Sequence, residues 1–233
     1  MHNNNLYNRV TKSKPHIKKI NRIRRQKWAS IHSKWTLNDW KRIVWTDETY
    51  VESSLSYKVF IWRKKEELWK QSCVADTFRS GRIGLTVWSC VGWNGIGPVR
   101  FIDGRLNGRK YIDLLNDVKE EIYNLYGDDC IIMDDNCPAH CAGIVKKWKK
   151  KNNINSMEWI AQIPDLNITE NVWAELKRSI NKKMPIYKTE EILKNIIVES
   201  WNQISESSIR KLIMSMAKRC KLVQNKHGYG IKY

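Results

Sequence analysis

The chain has 233 residues, 42% of them hydrophobic and twelve of them Trp. That is enough to bury one large core and too apolar for a disordered protein. The net charge of +18 asks for a polyanionic partner, nucleic acid ahead of an anionic membrane surface.

No apolar run approaches the roughly 18 residues of a membrane span. The start, Met1-His2-Asn3-Asn4-Asn5, lacks the apolar core of a signal peptide. The expected compartment is therefore the cytosol or nucleus, where the six cysteines are free thiols.

Residues 1–40 read as a basic arm. They carry ten Lys or Arg and a single acid, Asp39, which is half of the whole charge excess. Lys18, Lys19, Arg22, Arg24, Arg25 and Lys27 form a run suited to phosphate contacts or to nuclear import. Alternatively the run is a solvated helix face, with Ile17, Ile20 and Ile23 turned to the core. Trp28, Trp35 and Trp40 are expected to dock the arm.

From residue 41 to 233 no linker divides the chain. Arg42 to Glu48 reads as a strand, and Tyr57 to Arg63 as a second. Gly84 to Gly92 is a third. The turn signal Asn94-Gly95-Ile96-Gly97-Pro98 precedes a returning strand, Val99 to Ile102. Asn107 to Tyr126 has helical period in Tyr111, Leu115, Val118, Ile122 and Leu125, and Gly127 stops it.

Cys130 to Met133 is a buried strand. Pro138 opens a helix to about Lys151 with Ile144, Val145 and Trp148 inward. Met157 to Ile160 is a short strand. A helix from Asn167 has Val172, Leu176 and Ile180 inward. Thr189 caps another, with Ile192, Ile196, Ile197 and Trp201 inward, and Ser205 caps the last. The tail from Lys218 is basic and broken by Gly. Hairpins first and a crossover helix next imply an α/β fold, a mixed sheet with helices on both faces.

Three acids stand at element ends. Asp47 closes the run Ile43-Val44-Trp45-Thr46, Asp135 follows Ile131-Ile132-Met133, and Glu170 opens a helix. Alternation puts Asp47 on the face of Ile43 and Trp45, Glu48 on the other face, and Asp134 opposite Asp135. A bare buried carboxylate is costly, so each acid is solvated, paired or bound to a cation. Carboxylate oxygens suit hard divalent cations such as magnesium, and two such ions drive in-line phosphodiester chemistry.

Glu170 has a structural alternative, as the N3 partner of Asn167 in a capping box. Cys130, Cys137, His140 and Cys141 cluster in sequence without a second knuckle, so zinc is not expected. Without a Walker-type loop, no nucleotide is expected either.

Trp45-Thr46-Asp47-Glu48, Asp135-Asn136-Cys137-Pro138-Ala139-His140 and Ala161-Gln162-Ile163-Pro164-Asp165-Leu166-Asn167 followed by Glu170-Asn171-Val172-Trp173 resemble the transposases of the mariner superfamily. The 34 residues between Asp135 and Glu170 resemble its Tc branch. The resemblance runs from about residue 22 to the end.

It implies a ribonuclease H-like fold over 41–233 with Asp47, Asp135 and Glu170 as the metal-binding triad. Asn136, His140 and Asn171 are then supports of the ligands. It further implies magnesium or manganese, cut-and-paste transposition of double-stranded DNA into TA targets, a possible homodimer and a nuclear location. Ile168-Thr169 stand where the family has Pro-Ile. The family's paired helix-turn-helix modules, about a hundred residues, have only the basic arm in their place, which reads as a truncated or decayed copy. The rival reading is a catalytically silent DNA-binding protein derived from such an element.

Overall fold

The computed structural model describes residues 17–52, 62–73, 83–161, 163–183 and 189–232. Four strands form one sheet: β1 Ile43–Glu52, β2 Gly84–Gly92, β3 Gly95–Ile102 and β4 Ile131–Met133. Their order is β3-β2-β1-β4. The first three pair antiparallel, and β4 runs parallel to β1 with Ile43 beside Ile131. The parallel pair needs a crossover, which α3 (Gly108–Tyr126) supplies. Asn107 caps α3 by accepting from the amides of Arg109 and Lys110, and Gly127 ends it at φ +90°.

Strand alternation divides the core. Val44, Trp88 and Cys90 face α3, where Val118 and Ile122 meet them. Ile43, Trp45, Val87 and Val91 face the other way, onto α6 (Thr169–Lys182), α7 (Glu190–Asn202), α8 (Glu206–Met214) and α9 (Met216–Asn225). The expected mixed sheet covered by helices on both faces is the observed architecture. No helix among the described residues is long and apolar enough to cross a membrane.

Before the sheet lie α1 (Lys19–His32) and α2 (Leu37–Lys41). Trp28 and Trp40 are buried and Trp35 is partly buried, as expected of docking residues. The Trp28 indole lies edge-on to Trp159 at 5.0 Å and its Nε1 donates to the Glu158 carbonyl at 2.9 Å. The inward stripe of α1 is Arg25, Trp28, Ala29 and His32, at i, i+3, i+4 and i+7. Ile20 and Ile23, expected inward, are 54% and 55% exposed.

Several expected boundaries move. The tight turn is Trp93–Asn94, and Gly95 to Pro98 already belong to β3, where Gly92 pairs with Gly95. The proposed strand Tyr57 to Arg63 lies mostly outside the described residues. The helix expected over 138–151 is two, α4 (Pro138–Cys141) and α5 (Gly143–Lys151), because Ala142 is extended at φ −57°, ψ 140°. Ile144 is consequently exposed while Val145 is buried.

The strand expected at Met157–Ile160 reduces to one parallel bridge, Ser156 beside Ile132, continued by the Met157 amide on the Ile132 carbonyl at 2.9 Å. In α7 Ile197 and Trp201 are buried as expected, but Leu193 joins them in place of Ile192, which is exposed. The tail is not a broken coil at its start, since α9 runs to Asn225.

Asp134 points to the α3 face. It accepts from Tyr111 Oη, from Lys149 Nζ of α5 and from Thr46 Oγ1 at 3.2 Å. Both members of the Asp134–Lys149 pair are 10% exposed at the side chain. Removing one partner leaves a buried charge uncompensated, so Lys149→Met is expected to lower stability by about 3–5 kcal/mol in urea unfolding.

Candidate active site

Asp47 projects from β1 to the face that carries α6. Three donors at the start of that helix converge on its Oδ2: Thr169 Oγ1 at 2.7 Å, Asn167 Nδ2 at 3.2 Å and Trp173 Nε1 at 3.3 Å. Its Oδ1 accepts from the Glu48 amide at 2.8 Å. Burial nevertheless pushes its pKa up to about 6; the Thr169 hydroxyl pulls it down, and the charges of Glu48 and Glu170 add to the rise.

Asp135 follows β4 directly. Its Oδ1 accepts from the Cys137 amide at 2.9 Å and from His140 Nδ1 at 2.8 Å. Burial alone raises it, but these bonds and the His140 charge outweigh burial, so its pKa falls below the usual carboxylate value. His140 is buried on α4 against the Tyr111 ring, 4.1 Å between centroids, and its Nε2 reaches Glu48 Oε1 at 3.2 Å. Burial disfavours the imidazolium, yet bonds to Asp135, Cys137 and Glu48 raise its pKa far above the ordinary one.

Glu170 lies exposed in the first turn of α6, where the helix dipole favours an acid. The expected capping box is not formed. Ile168 occupies the N-cap without a side-chain bond, and Asn167 Oδ1 accepts from the Thr169 amide at 3.1 Å. Ile168 and Thr169, which replace the resembling family's Pro-Ile, are both buried, and Thr169 is the closest donor to Asp47. The Glu170 carboxylate has no hydrogen-bond or ion-pair partner among the described residues.

Asp47, Asp135 and Glu170 line one open cavity of about 290 Å³, together with Asn136, Cys137, Trp159, Ile163 and Asn167. Three carboxylates at a single opening are an oxygen-donor set with excess negative charge, which fits a hard divalent cation. A second potential ligand group, Asp135, Cys137 and His140, has its donor atoms within 4.8 Å of one another. His140 is a poor member of it: both ring nitrogens face acids, and the protonated ring offers no lone pair. Cys130, from the sequence cluster, is buried under α3 and away from that group.

The three supporting residues have separate tasks. His140 holds Asp135. Asn136 donates to the Trp159 carbonyl at 2.7 Å and so braces the loop after the Ser156 bridge. Asn171 contacts no ligand; its Oδ1 accepts from Arg219 at 2.9 Å. Arg25, grouped with the DNA-contacting cations, is fully buried and donates from two nitrogens to Asp165 at 2.8 and 2.6 Å, which removes it from any DNA surface. Sequence reasoning missed Thr169 and Trp173 as anchors of Asp47. Trp173 carried a signal, since it lies one turn beyond Glu170 on the same helix.

A family model described as DDE superfamily endonuclease matches residues 42–193. The chain belongs to this family. The Tc1 transposase of Caenorhabditis elegans is 28% identical over 231 residues, covering 98% of this chain and 84% of the relative. The Tcb1 transposase of Caenorhabditis briggsae is 28% identical over 230 residues, with the same coverage. Among solved structures, the Mos1 transposase paired-end complex with left transposon end superposes with a TM-score of 0.81 at 17% identity, over 97% of this chain and 68% of that one.

The catalytic domain of Mos1 mariner transposase gives 0.71 at 15% identity, over 94% and 100% of the two chains. The fold is thus the ribonuclease H-like one, and the chain is a DDE transposase enzyme domain similar to the Tc1 transposase.

This DDE domain holds Asp47 against its electrostatic preference. The folded pKa, about 6, lies above the ordinary value of 3.8. Well below the unfolded pKa of 3.8 both folded and unfolded forms are protonated and nothing is lost. As pH rises from about 3 to above 6 the unfolded form ionises first, so stability falls and the full penalty is present at neutral pH. Asp47→Asn is therefore expected to unfold like the wild type at about pH 3 and to be more stable at pH 7. The bound is about 3 kcal/mol, from a gap of about two pH units at about 1.4 kcal/mol each, less whatever the Glu48 amide loses with its acceptor. Urea melts at the two pH values measure it.

Proposed function

We propose that this domain cleaves and joins DNA strands in cut-and-paste transposition, with Asp47, Asp135 and Glu170 holding divalent metal, as a pair of magnesium or manganese ions. The observation that carries this reading is the single cavity lined by all three carboxylates. Mos1 structures described as containing Mg or Mn support the choice of metal. Bound ions would activate water or a 3′-hydroxyl and neutralise the leaving oxygen.

The chain's own residues do the positioning. Thr169, Asn167 and Trp173 fix Asp47. His140 and the Cys137 amide occupy Asp135 Oδ1 and leave Oδ2 for the cavity. Glu170 projects from the α6 N-terminus, and no group among the described residues holds its carboxylate.

Double-stranded DNA, both transposon end and target, is the proposed substrate. Mos1 complexes described as a pre-cleavage transpososome and a strand transfer complex support it. A groove of about 790 Å³ carrying Arg24 and Lys27 shares Asn136, Trp159, Ile160 and Ala161 with the carboxylate cavity. It suits a backbone track leading from the chemistry to α1. A TA target, a homodimer and a nuclear location follow from the resemblance, and the exposed cations Lys18, Lys19, Arg24 and Lys27 suit nuclear import.

Two experiments test this. With supercoiled plasmid in Mg²⁺ or Mn²⁺, the wild type is expected to nick, and Asp47→Asn, Asp135→Ala and Glu170→Gln to fall by about a hundredfold or more. Nicking that survives in Asp135→Ala discards the assignment; a wild type that binds DNA without nicking favours a silent binding protein. Separately, replacing Lys18, Lys19, Arg24 and Lys27 with Gln should flatten the salt dependence of DNA binding, by up to about 0.9 log units for each phosphate no longer neutralised. An unchanged slope would show that α1 does not touch the backbone.

A further inference from the structure

Glu170 is aimed by backbone, since among the described residues nothing holds its own side chain. The turn Pro164–Leu166 and the residues Asn167 and Ile168 deliver it to the cavity. That turn is gripped from two elements that lie outside the family match, α1 and the C-terminal end of the chain. Arg25 of α1, fully buried, forks onto the Asp165 carboxylate at 2.8 and 2.6 Å. The Ile231 amide donates to the same carboxylate, on Oδ2, at 2.8 Å. Arg219 of α9, also buried, donates to the Asp165 carbonyl at 3.2 Å and to Asn171 Oδ1, next to Glu170, at 2.9 Å.

Residues 228–231 form a strap bound to α1 in turn. The Gly228 carbonyl accepts from Arg25 Nε at 2.8 Å, and the Arg22 guanidinium lies over the Tyr229 ring at 4.2 Å. Gly228 has φ +79°, and a Cβ there would come within 2.1 Å of the Arg22 carbonyl oxygen, so strap and helix meet only because this residue is glycine.

We propose that Arg25, Arg219 and the strap 228–231 form a buttress that positions Glu170, making Arg25 a positioning residue of the metal site. This rests on the reading of Glu170 as a metal ligand. The competing view is a buried ion pair that only seals α1 against α9. Against it, the bonds do not stay in that seam. They end on the side chain and backbone of the turn before Glu170 and on the residue after it. A forked guanidinium–carboxylate pair fixes direction as well as distance, which an apolar seal does not need.

The experiment is Mn²⁺ titration of the full chain, free ion followed by electron paramagnetic resonance, with thermal melts alongside. Arg25→Gln is expected to weaken Mn²⁺ binding about tenfold, as loss of groups that orient metal ligands does, and Arg25→Lys to recover part of it. Asn171→Ala, which removes one bond and no charge, is expected to move affinity in the same direction should Arg25→Gln not fold. Ile122→Ala, in the α3 cluster on the other side of the sheet from the turn, lowers the melting temperature and is expected to keep wild-type affinity.

Wild-type Mn²⁺ binding in Arg25→Gln, or in Asn171→Ala where that variant decides, overturns the buttress if Glu170→Gln is weakened. Equal weakening in Ile122→Ala overturns it too, since general destabilisation would then suffice. Unchanged binding in Glu170→Gln instead overturns the ligand reading on which the buttress rests.

Discussion

Asp47 is tied to α6 through one oxygen. Asn167, Thr169 and Trp173 all donate to Oδ2, so the start of α6 is stitched to the middle of β1 by polar contacts rather than by apolar packing alone. Those bonds offset part of the loss of water around the carboxylate, and the pKa near 6 says that they do not offset all of it. On the proposed reading, a cation at the cavity would supply the missing interaction. Binding that favours the folded form adds stability by mass action, so occupancy of this site and integrity of the β1–α6 joint are linked. Catalytic readiness comes at the expense of stability at this position, the usual trade at a charged site.

The remaining acids are neutralised by where strand parity sends them. Asp47 and Glu48 are neighbours, as are Asp134 and Asp135, and a strand turns consecutive side chains to opposite faces. Asp134 goes behind the sheet to Lys149 and Tyr111. Glu48 goes to His140, which also holds Asp135. One buried imidazolium thus serves two carboxylates and links β1 to the loop after β4. Negative charge without a matching cation is left mainly at Asp47 and Glu170, on the open side, where a substrate phosphate and its metal would meet it.

Local signals in the sequence carried much of this. The bounds Gly84–Gly92 of β2, the start at Asn107 and Gly127 stop of α3, and the Thr189 and Ser205 caps all depend on residues close in sequence, and they coincide with the observed elements. Parity in β1 was legible for the same reason. Long-range pairing was not. Nothing local announces that Ala142 is extended between two helices, or that the chain meets β4 at Asn155 to Met157 rather than along Met157 to Ile160. The capping box was a sound local motif that lost to a longer-range demand, because Asn167 turns its amide to Asp47, 120 residues away.

The basic run shows how composition misleads when phase is ignored. Lys18, Lys19, Arg24, Arg25 and Lys27 look equivalent as charges. On a helix Arg25 falls on the stripe of Trp28, Ala29 and His32, whereas Lys19, Arg24 and Lys27 turn outward. A cation on the buried stripe has to find an acid, and the one it finds, Asp165, lies on the turn that feeds Glu170. One helix therefore divides its charge by angle, leaving the outer cations in solvent, free for the proposed polyanion, and tying the inner one to the turn before Glu170. That division explains how α1, which precedes the matched region, is physically continuous with the chemistry.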